Sequence, residues 1–353
     1  MIQPLWLRRG QAAGADVSKR VAVLTSGGDC PGLNAALRSL VLAGHQRGWT
    51  MLGIERGFRG LLADPPAVRG LTAADVPAAR MAEGGTFLGA TSDLDPFAVP
   101  EAGGRVDRGD QLAAALAQIA AEAVIVIGGD GTLRMAHKLA LRTPVPVIGL
   151  PKTIDNDVTG SERTIGFASA VAVAAEAVAR LATTAASHDR LLVLETMGRT
   201  VGHLALAAAT AGAADAVLIP ELPLQNPEDW SALAQRLSHA PSAVVVVAEG
   251  AARGVAVAET LERLTSRTAR ATVLGHLQRG GPAVPEDRLL AAAFATAAIA
   301  AVATGGDDTA ILWQGGRPVP VPLAAIAAAA RPVEPAGLEV AMARAAGVWL
   351  PAG

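Results

Sequence analysis

Residues 123–132 read AVIVIGGDGT: an unbroken apolar run from Ala123 to Ile127, then Gly128, Gly129, Asp130, Gly131 and Thr132. A run this short, apolar at every position and stopped by a glycine pair, predicts a strand buried on both faces. Residues 20–26 (RVAVLTS) end the same way, at Gly27 and Gly28, and a helical pattern follows over about 33–46. Strand-like runs recur at 50–55, 145–150 (VPVIGL), 191–195 (LLVLE), 216–219 and 243–248 (AVVVVA). Between them lie alanine-rich stretches such as 168–184, which favour helix. Strands alternating with helices predict an α/β chain with mainly parallel sheet. In such sheets ligands bind beyond the carboxyl ends of the strands, so the strand-end loops carry the chemistry.

Composition fits that picture. The chain has 353 residues, 51% of them apolar, enough to bury the cores of two lobes. Its net charge of -2 predicts neither nucleic acid nor an acidic membrane surface as a partner. The longest greasy stretch, 289–304, is alanine-rich and shorter than the roughly 20 residues of a bilayer span, so it reads as a buried helix. Residues 1–17 read as a tail without a signal-peptide core. Cys30 is the only cysteine, which excludes an intramolecular disulfide, fits a cytoplasmic location and reads as a small buried side chain.

Four loops stand out. Thr25 to Asn34 (TSGGDCPGLN) is glycine-rich and opens a helix, a setting in which backbone amides and the helix N-terminus receive an anion; a plain strand-to-helix corner has the same look. Gly128 to Thr132 places the Asp130 carboxylate among glycines, suited to Mg²⁺ beside phosphates. Pro151 to Asp157 (PKTIDND) puts two carboxylates two residues apart after a strand, as needed to take a proton from an attacking hydroxyl; an Asx-rich turn with solvated acids is the other reading. Arg270 to Gly281 (RATVLGHLQRGG) gathers two arginines and a histidine around a glycine turn, which suits a phosphate dianion.

Together with Ser187-His188-Asp189-Arg190 and Met197-Gly198-Arg199, the first, third and fourth of these loops resemble the signature segments of the 6-phosphofructokinases, in the family's order, from about Val21 to Arg288. The lipid and NAD kinases share only the Gly-Gly-Asp-Gly-Thr string. The resemblance implies that Asp155 is the base acting on the 1-hydroxyl of fructose 6-phosphate. Asp157 falls in the metal and transition-state network, and Thr153 beside the transferring phosphoryl. It implies a donor site at Gly27, Gly28, Gly129, Asp130, Gly131, Thr132 and Lys152, with Asp130 at the Mg²⁺ position. Met197, Gly198, Arg199, Glu249, His276 and Arg279 match sugar-phosphate positions. Arg190 and Arg270 match contacts that bacterial relatives supply from a neighbouring subunit, which implies a homo-oligomer, dimer or tetramer, with shared sites.

The chain also departs from the family pattern. Gly131 leaves room for the α-phosphate of ATP, whereas Lys152 is the residue that pyrophosphate users carry. That mixture resembles the branch with mixed donor markers; the steric argument favours ATP, with pyrophosphate as the alternative. Ser92 stands where the family has an arginine bridging both substrates, with Lys152 or Arg56 as substitutes. A sugar-phosphate-binding paralogue with little catalysis is therefore the third reading, against which Asp155 and Asp157 argue. Leu42, Ala182, Ser238 and Ala240 stand where effector-binding cations are usual, while Arg38 and Asp215 remain.

The fold expected is α/β, two Rossmann-like lobes with the active site in the cleft between them. One is expected at 18–166 plus about 278–328, holding the donor, the other at 167–277 plus about 329–353, holding the sugar phosphate.

Overall fold

The computed structural model describes residues 18–305, 308–326 and 329–351; the tail expected at 1–17 lies outside them. The chain divides into two compact units. Among the described residues, the first comprises those of 1–152, 160–165 and 288–328, the second those of 153–159, 166–287 and 329–353.

The first unit is built on one sheet with the strand order Arg317–Pro322, Thr309–Gln314, Val147–Thr153, Ala123–Gly128, Arg20–Thr25, Thr50–Ile54, Val68–Leu71. The five central strands run parallel, and an antiparallel strand closes each edge. Val124 to Ile127 and Val21 to Leu24 are fully buried, as unbroken apolar runs require of strands covered on both faces. The edge strand Arg317–Pro322 was not legible in sequence, because Pro318, Pro320 and Pro322 read as a strand breaker. Their alternation resolves the conflict: prolines at every second position put all the missing N–H groups on one side, the side away from Thr309–Gln314.

The second unit holds a four-stranded parallel sheet ordered Ala216–Leu218, Ala243–Ala248, Leu191–Thr196, Ala269–Val273. Alternate residues of the strand Ala243–Ala248 enter different cores. Val244, Val246 and Ala248 pack with Ala174, Val178 and Ala205, whereas Ala243, Val245 and Val247 pack with Leu233, Val257 and Leu261. The helix Phe167–Ser187 is long and apolar enough to cross a bilayer by length and composition, but its Ala174 and Val178 belong to this core.

Two boundaries differ from the sequence expectation. Residues 278–287 belong to the second unit, and Asp287 gives a reason. Its buried carboxylate accepts the N–H of Gly166 at 3.0 Å, the N–H of Ser169 at 2.8 Å and the Ser169 hydroxyl at 2.6 Å. It thereby caps the helix Phe167–Ser187, whose own N-cap, Gly166, has no side chain to do so. Residues 153–159 also belong to the second unit. Thr159 Oγ1 donates to Ala329 O at 2.8 Å, and Arg331 N donates to Asp157 O at 2.8 Å, both within that unit.

Candidate active site

The carboxyl ends of the first unit's strands carry one constellation. Ser26 N donates to Ile127 O at 3.0 Å and Gly27 N to Thr91 O at 3.0 Å, which fastens the first glycine loop to both the neighbouring strand and the segment 84–91. Gly128 has no alternative: a Cβ there would lie 2.3 Å from Thr132 Cβ. The helix Asp130–Ala140 can therefore start directly against the strand end, with Gly129 as its N-cap. A Cβ on Gly27 would lie 3.3 Å from Thr132 Oγ1 and 3.6 Å from Lys152 Nζ, so the hydroxyl and the ammonium converge on that glycine. Lys152 is 3% exposed and donates to Gly28 O, so it is turned into the glycine loop rather than away from it. The result is a helix N-terminus, a row of glycines and a buried cation, the makings of a phosphate cradle.

A cavity of about 490 Å³ in the same unit is lined by Ser92, Arg105, Gly131, Arg134, Met135 and Lys138, among others. Arg134 Nη1 pairs with Asp130 Oδ2 at 3.0 Å, one helical turn on. Arg105, Arg134 and Lys138 share that cavity lining with Ser92, while the Arg56 carbonyl accepts the hydroxyl of the adjoining Thr91 at 2.9 Å. The i, i+4 spacing of Asp130 and Arg134 was a signal available in sequence. Arg105 was not: it sits on the short exposed hairpin Val99–Glu101 and Gly104–Val106.

The second unit carries the acidic loop. Asp155 and Asp157 are 3% and 2% exposed. Asp155 Oδ1 accepts no hydrogen bond among the described residues, and the Asp155 N–H is held by Thr153 Oγ1 at 3.0 Å. Burial above all, and then the charge of Asp157, pushes the Asp155 carboxyl up to about 6, against the pull of Arg279 and Arg199. Arg199 Nη1 lies 3.7 Å from Asp157 Oδ2. Its own N–H donates to Glu249 Oε1 at 2.9 Å, which fixes a turn in which Arg199 has φ +52°. Gly198, at φ +144°, packs so close that a Cβ would meet Val201 O at 2.6 Å. Met197 is half-buried beside them. His276 and Arg279 lie on the short helix Gly275–Arg279, His276 exposed and Arg279 half-buried.

Arg190 and Arg270 are not brought to this set. The strands Leu191–Thr196 and Ala269–Val273 run parallel, with Ala269 opposite Leu191. Arg190 and Arg270 therefore sit at the amino edge of the sheet, whereas Arg199, Glu249 and His276 follow its carboxyl ends, about 20 Å away along a strand of six residues. Both arginines are exposed, and Arg270 pairs with Glu262 at 3.1 Å.

The family model for phosphofructokinase matches residues 20–302. The ATP-dependent 6-phosphofructokinase 1 of a Nostoc species is 38% identical over 94% of this chain and 99% of its own length. The ATP-dependent 6-phosphofructokinase of Chloroflexus aurantiacus is 42% identical over 95% of this chain and 98% of its own. Among solved structures, Pichia pastoris phosphofructokinase in the T-state matches with a TM-score of 0.77 at 30% identity; the alignment covers 87% of this chain and 35% of that longer one. A pyrophosphate-dependent phosphofructokinase from Marinobacter aquaeolei matches with a TM-score of 0.76 at 20% identity, a likeness of fold.

Proposed function

The chain belongs to the phosphofructokinase family, and from that premise we propose that it transfers a phosphoryl group from ATP to the 1-hydroxyl of fructose 6-phosphate, giving fructose 1,6-bisphosphate in glycolysis. The observation that carries the reading is Asp155: a buried carboxylate with an oxygen that accepts nothing from the described residues and a pKa raised to about 6. Such a group is ionised at neutral pH yet basic enough to take the hydroxyl proton as the oxygen attacks. A protein that only bound the sugar would have little use for this costly pair of acids.

The remaining residues divide by unit. In the first, the amides around Gly27, Gly28 and Gly129 to Thr132, with Lys152, hold the donor phosphates. In the second, Arg199, Met197, Gly198 and Glu249 hold the sugar, and His276 and Arg279 its 6-phosphate. Thr153 and Asp157 flank the base. Asp130 suits Mg²⁺ as a single half-buried carboxylate, and among the described residues no cluster of three metal-ligating side chains exists. That donor set fits an ion held mostly by phosphate oxygens and water. A magnesium ion held there would supply positive charge against the donor phosphates. Arg190 and Arg270, at the far edge of the sheet, would complete the sugar site of a second copy, so we propose a homo-oligomer with shared sites acting in the cytoplasm.

One observation favours pyrophosphate as donor: the Lys152 ammonium lies in the glycine loop. Gly131 outweighs it, because a missing side chain admits the α-phosphate of ATP. Purified protein assayed on fructose 6-phosphate with Mg²⁺ is expected to give a higher kcat/KM with ATP than with pyrophosphate. Turnover with pyrophosphate alone would reverse the donor, and turnover with neither would reject the enzyme.

A further inference from the structure

Asp155 and Asp157 are separated by Asn156, which has φ +54°, a left-handed conformation that is strained for a non-glycine residue. That turn aims the Asn156 carbonyl at Arg331, whose Nη2 donates to it at 2.9 Å and Nε at 3.3 Å. The backbone N–H of Arg331 donates to Asp157 O at 2.8 Å, and Thr159 Oγ1 donates to Ala329 O at 2.8 Å. Residues 329–331 thus grip the acidic loop at Asn156, Asp157 and Thr159, although they follow it by some 175 residues in sequence.

The grip is itself braced. His203 is 3% exposed; its Nε2 lies 3.2 Å from Arg331 O and its Nδ1 2.9 Å from Glu339 Oε2. Glu221 Oε1 accepts the N–H of Val333 at 2.9 Å and that of Gly202 at 3.0 Å, which ties the same segment to the turn after Arg199. Every partner in this network lies in the second unit. None of its side chains is itself one of the proposed sugar, donor or base residues.

We propose that Arg331 is a positioning residue for phosphoryl transfer: its guanidinium, on the Asn156 carbonyl, sets the backbone turn that aims Asp155. The inference rests on the reading of Asp155 as the base. A charge-assisted bond to the carbonyl is stronger than a neutral one and offsets the strain of the left-handed turn. Without it the loop relaxes toward an ordinary backbone conformation, and the carboxylate swings with it. A displacement of this kind costs rate far more than affinity, since the sugar is held by other side chains.

The test uses Arg331→Ala and Arg331→Lys in the full chain, with steady-state kinetics on fructose 6-phosphate and amide hydrogen exchange of the peptide spanning 155–159. Arg331→Ala should lower kcat about ten-fold or more while the KM for fructose 6-phosphate stays within about three-fold. Exchange in that peptide should quicken at least about ten-fold. Arg331→Lys, which keeps a cationic donor, should recover most of both. A folded alanine variant with wild-type kcat or wild-type exchange overturns the proposal, as does a lysine variant no better than alanine. If the alanine variant does not fold, Arg331→Met takes its place, since it keeps the length of the side chain but neither the charge nor the donors. A lowered kcat with quicker exchange in that variant supports the proposal, and wild-type values in either overturn it. Hydrogen exchange needs no substrate, so it still tests the loop should wild-type protein fail to act on fructose 6-phosphate; that failure would instead reject the proposed function.

Discussion

The glycine loops of the first unit and the acidic loop of the second handle charge in opposite ways. At Gly27, Gly28 and Gly128 to Thr132 the protein offers backbone amides, a helix N-terminus and one lysine, and the groups that matter are defined by the side chains they lack. At Asp155 and Asp157 two carboxylates are buried together, and burial and mutual repulsion lift the Asp155 proton affinity to about 6. Backbone donors cost little to keep in place, so the first kind of site is compatible with stability. A buried acid works against it. Substitutions in the first loop should therefore act through space and charge on the donor, and those in the second should exchange activity for stability.

The strongest way to break this contrast is Asp155→Asn. It should lower kcat by at least about 10²-fold, with a smaller effect on sugar binding. The same change should stabilise the protein at neutral pH. The folded carboxyl, raised from 3.8 to about 6, carries an ionisation penalty of roughly 3 kcal/mol as an upper figure. That penalty is full above the folded value and vanishes below the unfolded one. The asparagine variant should thus unfold at higher denaturant than wild type at pH 8, with the difference nearly gone by pH 3. A variant of unchanged kcat removes the base assignment; one destabilised at pH 8 removes the energetic contrast.

Next in size is the donor side. A Cβ on Gly131 would have Arg134 Nη2, at 3.7 Å, as its nearest neighbour, an ordinary contact, so Gly131→Asp should fold. Its carboxylate would compete with Asp130 for Arg134 and crowd the α-phosphate. The kcat/KM for ATP should fall on the order of 10²-fold while any pyrophosphate activity is spared. Equal loss with both donors would show that position 131 does not sort them.

Subunit mixing sharpens the comparison in another direction. Asp155→Ala and Arg270→Ala proteins, each nearly inactive, should regain activity after exchange, because hybrid sites hold both residues. No recovery after verified exchange would mean that the far edge of the sheet serves no neighbour.

A smaller effect is expected of pH. With wild-type protein the acid limb of kcat/KM should show an apparent pKa near 6, activity rising as Asp155 loses its proton. A limb near 4 would place the base in water.

The smallest effect expected is that of anionic effectors. Arg38 donates to Val76 O, and Asp215 accepts the N–H of Val244 at 2.8 Å, so both of the residues left at the usual effector positions bond within the fold. Phosphoenolpyruvate or ADP should change the rate less than about two-fold. Strong inhibition that Arg38→Ala abolishes would contradict this.

By itself the sequence determined the α/β architecture, most strands and both sets of loops. Apolar runs of five or six residues ending at glycine are local signals, and 123–128, 191–196 and 243–248 became strands where their side chains said they would. The helix read over 33–46 is the observed Leu33–Gln46. Tertiary structure alone decided what depends on distant partners. It placed the acidic loop in the second unit, in the grip of Arg331. It capped the helix Phe167–Ser187 with Asp287, 118 residues beyond Ser169. It turned Lys152 into the glycine loop, and it set Arg190 and Arg270 at the opposite edge of the sheet from Arg199. Local sequence carries the preferences of φ, ψ and burial, but which carbonyl a guanidinium meets depends on the packing of the whole unit. No residue spacing encodes a bond made across 175 positions.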